Sequence, residues 1–292
     1  MSDCLASPEA LTRALSATGY IADDELATTL YLAAALARPV LVEGPAGVGK
    51  TAIAQALGQA LGASLHRLQC YEGLDASQAL YDWDYPRQFM AIRLAEAADT
   101  AIDAGALYSE RYLLARPILA ALSEPQRAVL LIDELDRADE AFEALLLEVL
   151  ADWQITIPEY RTIRAAAPPL VVITGNRTRE LSDAVRRRCL YAWIDYPEPA
   201  HERAVLAARL PGIDNALAEQ ITQFVARVRA LDLAKTPGLS ESLDWARALI
   251  TVGATDLAHE RVPATLAALV KDPGDIEQLA AHWQSLIDDL AR

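Results

Sequence analysis

The stretch PVLVEGPAGVGKTAIAQALGQALG, residues 39–62, decides the fold. Val40, Leu41 and Val42 form a short apolar run of the kind a buried strand carries. The turn after it fits G-x-x-x-x-G-K-[ST] at Gly44, Gly49, Lys50 and Thr51. From there apolar residues recur at helical spacing: Ile53, Ala56, Leu57, Ala60 and Leu61. A glycine-rich turn between strand and helix lets backbone N–H groups curl around phosphate oxygens, and the helix N-terminus adds partial positive charge. The segment Gly44, Pro45, Ala46, Gly47, Val48, Gly49, Lys50 and Thr51 is therefore expected to cradle the phosphates of ATP. Lys50 would reach the β- and γ-phosphates and the Thr51 hydroxyl would hold Mg²⁺.

A second stretch, RAVLLIDELDRADEAFEALLLEVLADW (127–153), complements the first. Residues 128–132 read as a central parallel strand, continuous in apolar residues because both sheet faces are covered. Asp133 and Glu134 fall at its C-terminal end, the edge where open α/β sheets bind ligands. Asp133 is the expected Mg²⁺ ligand and Glu134 the group that polarises the attacking water. The strand in PPLVVITGNRTRE (168–180) ends in Thr174, Gly175 and Asn176, and Asn176 is placed to bond both γ-phosphate and water. In LSDAVRRRCLYAWIDYP (181–197), Arg186, Arg187 and Arg188 precede a last strand. Three consecutive arginines cannot share one helical face, so at least one points away from its own core.

Core strands are expected near 40–43, 65–69, 128–132, 170–174 and 189–194, with helices between, which is the pattern of a parallel five-stranded sheet covered by helices. Residues 8–37 read as helical, and FMAIRLAEAADTAIDAGAL (89–107) as an added helix inside a long connection, 84–118. Pro197 and Pro199 close the last strand and open a helix. Residues beyond them are nearly all helical in pattern, with breaks at Pro211-Gly212, Pro237-Gly238, Pro263 and Pro273-Gly274. The reading is an α/β nucleotide-binding core, residues 1–197, and an all-α lid, residues 198–292. Tyr81, Trp83 and Tyr85 cluster beside Pro86, which suits local packing or a gripping loop.

Composition sets limits. The chain has 292 residues, 53% hydrophobic, with net charge −15. That balance opposes a broad nucleic-acid surface, which needs clustered Lys and Arg. Cys4, Cys70 and Cys189 are far apart and odd in number, so no disulfide framework or metal spacing follows, and a reducing, cytoplasmic setting is expected. MSDCLASPEA lacks the basic and apolar regions of a signal peptide. No apolar run reaches the length of a membrane span.

This set of motifs resembles the AAA+ ATPases, with Walker A at 44–51, Walker B at 129–134, Asn176 as sensor 1 and arginines before the fifth strand. DELDRADEAFEALLLEVLADWQITIPE (133–159) resembles the MoxR family, with QITIPEYRTIRA (154–165) in the place of that family's β-hairpin. YEGLDASQALYDWDYPRQFMAIR (71–93) is similar to the subgroup that includes CoxD, the ATPase encoded with carbon monoxide dehydrogenase. The resemblance implies ATP hydrolysis with Mg²⁺ and a homo-oligomeric, hexameric ring. It also implies a von Willebrand A-domain partner and a metalloenzyme client, carbon monoxide dehydrogenase or another enzyme such as Rubisco. It implies an arginine finger at Arg188, with Arg187 as the alternative, where this chain has arginine in place of the family's aspartate. It places a sensor-2 role in GLSESLDWARAL (238–249), where Glu241 and Ser242 replace the family residues and Arg247 is the nearest arginine. A DNA-dependent motor or loader and a small-molecule kinase are the competing readings. The acidic charge opposes the first, and the absence of an acceptor site opposes the second.

Overall fold

The structure is a computed structural model that describes residues 3–100 and 103–288. Helices α1 (Pro8–Ala17) and α2 (Asp24–Leu36) precede strand β1 (Val40–Glu43), followed by α3 (Lys50–Leu61) and β2 (Leu65–Gln69). The long connection carries α4 (Ala76–Ala79), β3 (Tyr81–Trp83), α5 (Tyr85–Ala97), α6 (Ala104–Leu107) and β4 (Leu113–Ala115). Then come α7 (Pro117–Ser123), β5 (Val129–Asp133), α8 (Glu140–Asp152), β6 (Gln154–Thr156), β7 (Thr162–Arg164), β8 (Leu170–Gly175), α9 (Asp183–Arg188) and β9 (Leu190–Trp193). The chain continues through α10 (Pro199–Arg209), α11 (Asn215–Arg229), α12 (Leu239–Thr251), α13 (Leu266–Leu269) and α14 (Pro273–Asp288).

Among the described residues the main sheet has five parallel strands in the order β2-β5-β8-β1-β9. The three inner strands are buried throughout, as their unbroken apolar runs require. Leu11, Leu30, Ile53 and Leu57 of α1–α3 cover one face, and Leu119, Phe142, Leu146 and Val185 of α7–α9 cover the other. The expected α/β fold with a five-stranded parallel sheet and a helical C-terminal region is therefore present. A third cluster, built from residues 206–279 around Phe224 and Trp245, is the core of the C-terminal helices.

One local expectation gains detail and one changes. The helical region read over 8–37 is two helices that part at residues 18–23: Gly19 has φ 80°, and Asp23 starts α2 by accepting a hydrogen bond from the Leu26 N–H. The added helix read over 89–107 ends at Ala97, where the backbone N–H groups turn back and Asp99 takes φ 51°. Asp103 then caps α6 by accepting from the Gly105 N–H. Ala101 and Ile102 within that segment lie outside the described residues, as do residues 1–2 and 289–292 of the two expected domains. Trp83 is buried and meets the rings of Tyr81, Tyr108 and Tyr160 edge-on, so in this cluster it packs. Tyr85 is exposed. The 154–164 hairpin forms as read, with Thr156 and Thr162 hydroxyls 3.0 Å apart across it.

Candidate nucleotide site

Strands β1, β5 and β8 end side by side, and their last residues meet the loop after β1. Gly44 opens that loop against the neighbouring strand; a Cβ there would collide with the Ile194 carbonyl oxygen. Gly49 takes φ 96° and passes directly into α3, a conformation that favours glycine. Lys50 is buried and its ammonium donates to the carbonyls of Gly44 (2.7 Å) and Pro45 (2.5 Å), so the loop closes around the lysine stem. Burial pulls this ammonium below the ordinary lysine value, while the Asp136, Asp133 and Glu134 carboxylates draw it back up.

Asp133 collects hydroxyls. The Thr51 hydroxyl donates to its two oxygens at 3.0 and 3.3 Å, and the Thr174 hydroxyl donates at 2.6 Å. Thr174 in turn accepts from the Glu134 N–H at 2.9 Å, which fixes the residue after Asp133 in a left-handed conformation, φ 56°. Glu134 thereby turns its carboxylate to Asn176, whose amide donates to Oε1 at 3.2 Å. Gln69 donates to Oε2 at 3.0 Å and the Arg137 guanidinium stands 3.1 Å from the same oxygen. Asp136, also buried, accepts at Oδ2 from the N–H groups of Asn176 and Thr178 and from the Thr178 hydroxyl. It ties the loop after β5 to the loop after β8.

These groups open onto a cleft of about 700 Å³. Residues 46–51, Asp133, Glu134, Thr174 and Asn176 line one side. The opposite side comes from segments of which only 238–249 is marked by the resemblance. These are Gly19–Ile21 between α1 and α2, Trp193 at the end of β9 with Ile194–Glu198 after it, His201, Val205 and Arg209 on α10, and Leu239, Ser240 and Leu243 on α12. Ser240 donates its N–H to the Gly47 carbonyl at 3.0 Å, seating the first turn of α12 on the loop. Gly44 and Pro45 support the lysine and do not face the cleft.

The donor set suits Mg²⁺ with a nucleotide. Thr51 and Asp133 present a hydroxyl and a carboxylate within hydrogen-bond distance of each other. No group of three or more His, Cys, Asp or Glu forms a cage among the described residues, and Mg²⁺ characteristically takes one or two protein oxygens with phosphate and water. Thr51 and Asp133 would hold the ion, which supplies positive charge against the phosphates.

The arginines divide. Arg186 turns inward and donates to Glu43 at 3.3 Å. Arg187 and Arg188 are exposed on α9, and Arg188 reaches the Leu147 carbonyl at 3.0 Å. None of the three lines the cleft. Arg247 does not line it either: on α12 it pairs with Asp244 at 3.0 Å on an exposed face, seven residues from Ser240. The arginine facing the cleft from the C-terminal helices is Arg209.

Residues 39–189 match the AAA domain (dynein-related subfamily) model, and the chain belongs to that family. An uncharacterized protein of Staphylococcus haemolyticus is 28% identical over 222 residues, covering 74% of this chain and 76% of the relative. Protein NorQ of Paracoccus denitrificans is 25% identical over 226 residues, covering 75% and 74%. The expected AAA+ ATPase of MoxR type stands on these findings. Among solved structures, the Thermotoga maritima RuvB Holliday junction branch migration motor is similar over 83% of this chain, with 22% identity and TM-score 0.47. This chain spans 66% of that RuvB chain. Among the described residues no helix is long and apolar enough to cross a membrane.

Proposed function

We propose that the chain hydrolyses ATP with Mg²⁺ and uses the cycle to remodel a protein client. The observation that carries this reading is the hydrogen bond from Asn176 Nδ2 to Glu134 Oε1, 3.2 Å, beside the Thr51–Asp133 pair. A carboxylate held by an amide beside a phosphate loop is oriented to take a proton from water. Lys50 supplies the point charge on the phosphates, and Asn176 orients both Glu134 and the attacking water. Phosphate release by wild type and Glu134→Gln, measured beside nucleotide binding, tests it: binding without turnover in the variant is expected.

The division into a core of residues 1–197 and a lid of 198–292 belongs to the same proposal, with α12 closing on the loop. So does assembly: a hexameric ring in which Arg188, exposed on α9, acts on the nucleotide of a neighbouring copy. An arginine supplied in this way is worth roughly 10³ to 10⁵ in rate. Arg188→Ala should therefore lose turnover and keep nucleotide affinity, with Arg187→Ala as the comparison.

The client is proposed to be a metalloenzyme reached through a von Willebrand A-domain partner, in line with the resemblance to MoxR proteins and its CoxD subgroup. The net charge of −15 repels polyphosphate chains at long range and so favours a protein over DNA. Titrating the ATPase rate with the A-domain partner, with apo carbon monoxide dehydrogenase and with single- or double-stranded DNA separates these. Salt-sensitive stimulation by DNA, with both proteins silent, would replace this reading with a DNA-dependent motor.

A further inference from the structure

Glu43 is the last residue of β1, and its side chain is 2% exposed. A carboxylate so placed is costly unless charged or hydrogen-bonding partners reach it. Its partners come from separate segments. Arg186 of α9 donates at 3.3 Å, and Arg177, the residue after Asn176, stands 3.9 Å away. Burial and the nearby Glu43 carboxylate raise the Tyr191 phenol of β9 above the ordinary tyrosine value. Directly after Glu43 in the chain, Gly44 gives its carbonyl to Lys50.

Both arginine partners are tied to the site. Arg177 follows Asn176 with φ 58° and lies 5.7 Å over the ring of Trp193, which lines the cleft. Arg186 immediately precedes the two exposed arginines of α9. That helix has six residues, too short to hold its own pose by helix formation alone. Its C-terminal carbonyls are gripped by Arg38, which takes those of Arg187, Arg188 and Cys189. Glu43 is the charged anchor on its inner side, beside the buried Val185. One buried carboxylate thus joins the start of the phosphate loop, the Asn176 loop and the arginine helix.

We propose that Glu43 is a positioning residue that couples the cleft to a neighbouring copy: through Arg177 and Arg186 it makes the pose of α9, and so of Arg187 and Arg188, follow the Asn176 loop. This rests on the reading that Arg188 acts across a subunit boundary, and it adds the device that sets when it does so. Without the negative charge, Arg177 and Arg186 lose their shared partner, and α9 is held by the packing of Val185 and the grip of Arg38 alone.

The test uses mixed assemblies of full-length chains. Glu43→Gln alone should keep KM for ATP within about twofold and lose kcat by roughly tenfold or more. Its own nucleotide site remains complete, so the loss should be recovered when it is mixed with Lys50→Ala chains, which carry intact arginines and do not turn over. Arg188→Ala mixed with Lys50→Ala is the reference. Recovery in both mixtures supports the proposal. Recovery with Arg188→Ala but not with Glu43→Gln overturns it, because the defect then lies within the subunit. No recovery in either overturns the cross-boundary reading and the coupling with it. Arg186→Gln, made at a one-third-exposed guanidinium, gives the same comparison if Glu43→Gln fails to fold, and must show the same recovery.

Discussion

The guanidinium of Arg67 on β2 stands 2.7 Å from Oδ2 of Asp133 on β5, so a cation already sits against the carboxylate assigned to Mg²⁺. The arginine side chain is half exposed and also donates to Gln69 at 2.8 Å, whereas Asp133 is buried and held by two threonine hydroxyls. Metal and guanidinium then compete for one oxygen. Arg67→Ala should lower the Mg²⁺ concentration needed to half-saturate the ADP complex by several-fold, read by calorimetric metal titration. A higher requirement would place Arg67 on the phosphate side instead.

Glu134→Gln preserves the shape of the side chain and one accepting oxygen, for Asn176 or Gln69 and no longer for both, while removing its basicity. General-base catalysis is typically worth 10² to 10⁴, so kcat should fall by about that factor with nucleotide affinity unchanged. Asn176→Ala should follow the same pattern more mildly, because Gln69 and Arg137 still hold Glu134. Single-turnover phosphate release beside titration with a fluorescent ADP analogue separates the two effects. A large loss of affinity in either variant would contradict the assignment.

Lys50 gives a pH signature. Burial lowers its pKa in the free protein, and incoming phosphate charge raises it. In the alkaline window between the lowered and the raised value, the free lysine is partly neutral and the bound one charged. Nucleotide binding there must take up protons, and affinity must fall as pH rises. Calorimetry in buffers of different ionisation enthalpy, at pH approaching the ordinary lysine value of about 10.4, measures the uptake. Lys50→Ala should abolish it and bind several-fold more weakly.

The sheet was legible because each inner strand is an unbroken apolar run ending at a polar turn: 170–174 was read where Leu170–Gly175 is found. That Lys50, Asp133 and Glu134 meet at one cleft was legible for the same reason, since each follows directly on an apolar strand or its turn. The far wall of the cleft was not. Tyr20 and His201 come from segments far apart in the chain, and no local pattern joins them; Leu239 lies in a stretch, 238–249, that the resemblance pointed to. The inward turn of Arg186 depends on Glu43, 143 residues earlier. Arg247, the arginine nearest the stretch 238–249 that the resemblance pointed to, lies on a helix face that carries it to Asp244 and solvent.

Arg229 occupies the junction between core and C-terminal helices. Its guanidinium meets Glu202 through two 2.8 Å bonds, with side chains 9% and 0% exposed. It also reaches the Pro237 carbonyl at 2.9 Å and lies over the Tyr196 ring. Removing one partner of such a pair leaves a buried charge uncompensated, at a cost of about 3–5 kcal/mol. Arg229→Ala should be destabilised by that amount in denaturant unfolding, and Arg229→Lys only partly spared, because lysine cannot make the two parallel bonds.

Gly238, at the N-terminus of α12, tests whether the C-terminal helices must touch the loop after β1. Its backbone, φ −85° and ψ −174°, is open to any residue, so alanine carries no conformational strain there. The obstacle is contact: a Cβ would lie 2.8 Å from the Ala46 carbonyl oxygen and 2.9 Å from the Gly47 backbone carbons. These are backbone atoms and cannot swing aside. Gly238→Ala must therefore lift the first turn of α12, lengthening the 3.0 Å bond from the Ser240 N–H to Gly47. The cluster around Phe224 and Trp245 is untouched, so the lid stays folded. Nucleotide affinity should fall by roughly tenfold, the equivalent of about 1.4 kcal/mol, with little change in thermal stability. Ser240→Ala is the control, since it removes the hydroxyl and keeps the N–H bond, and it should bind nearly as well as wild type. Equal affinity of Gly238→Ala and wild type for fluorescent ADP would mean that the bound state is held without this contact.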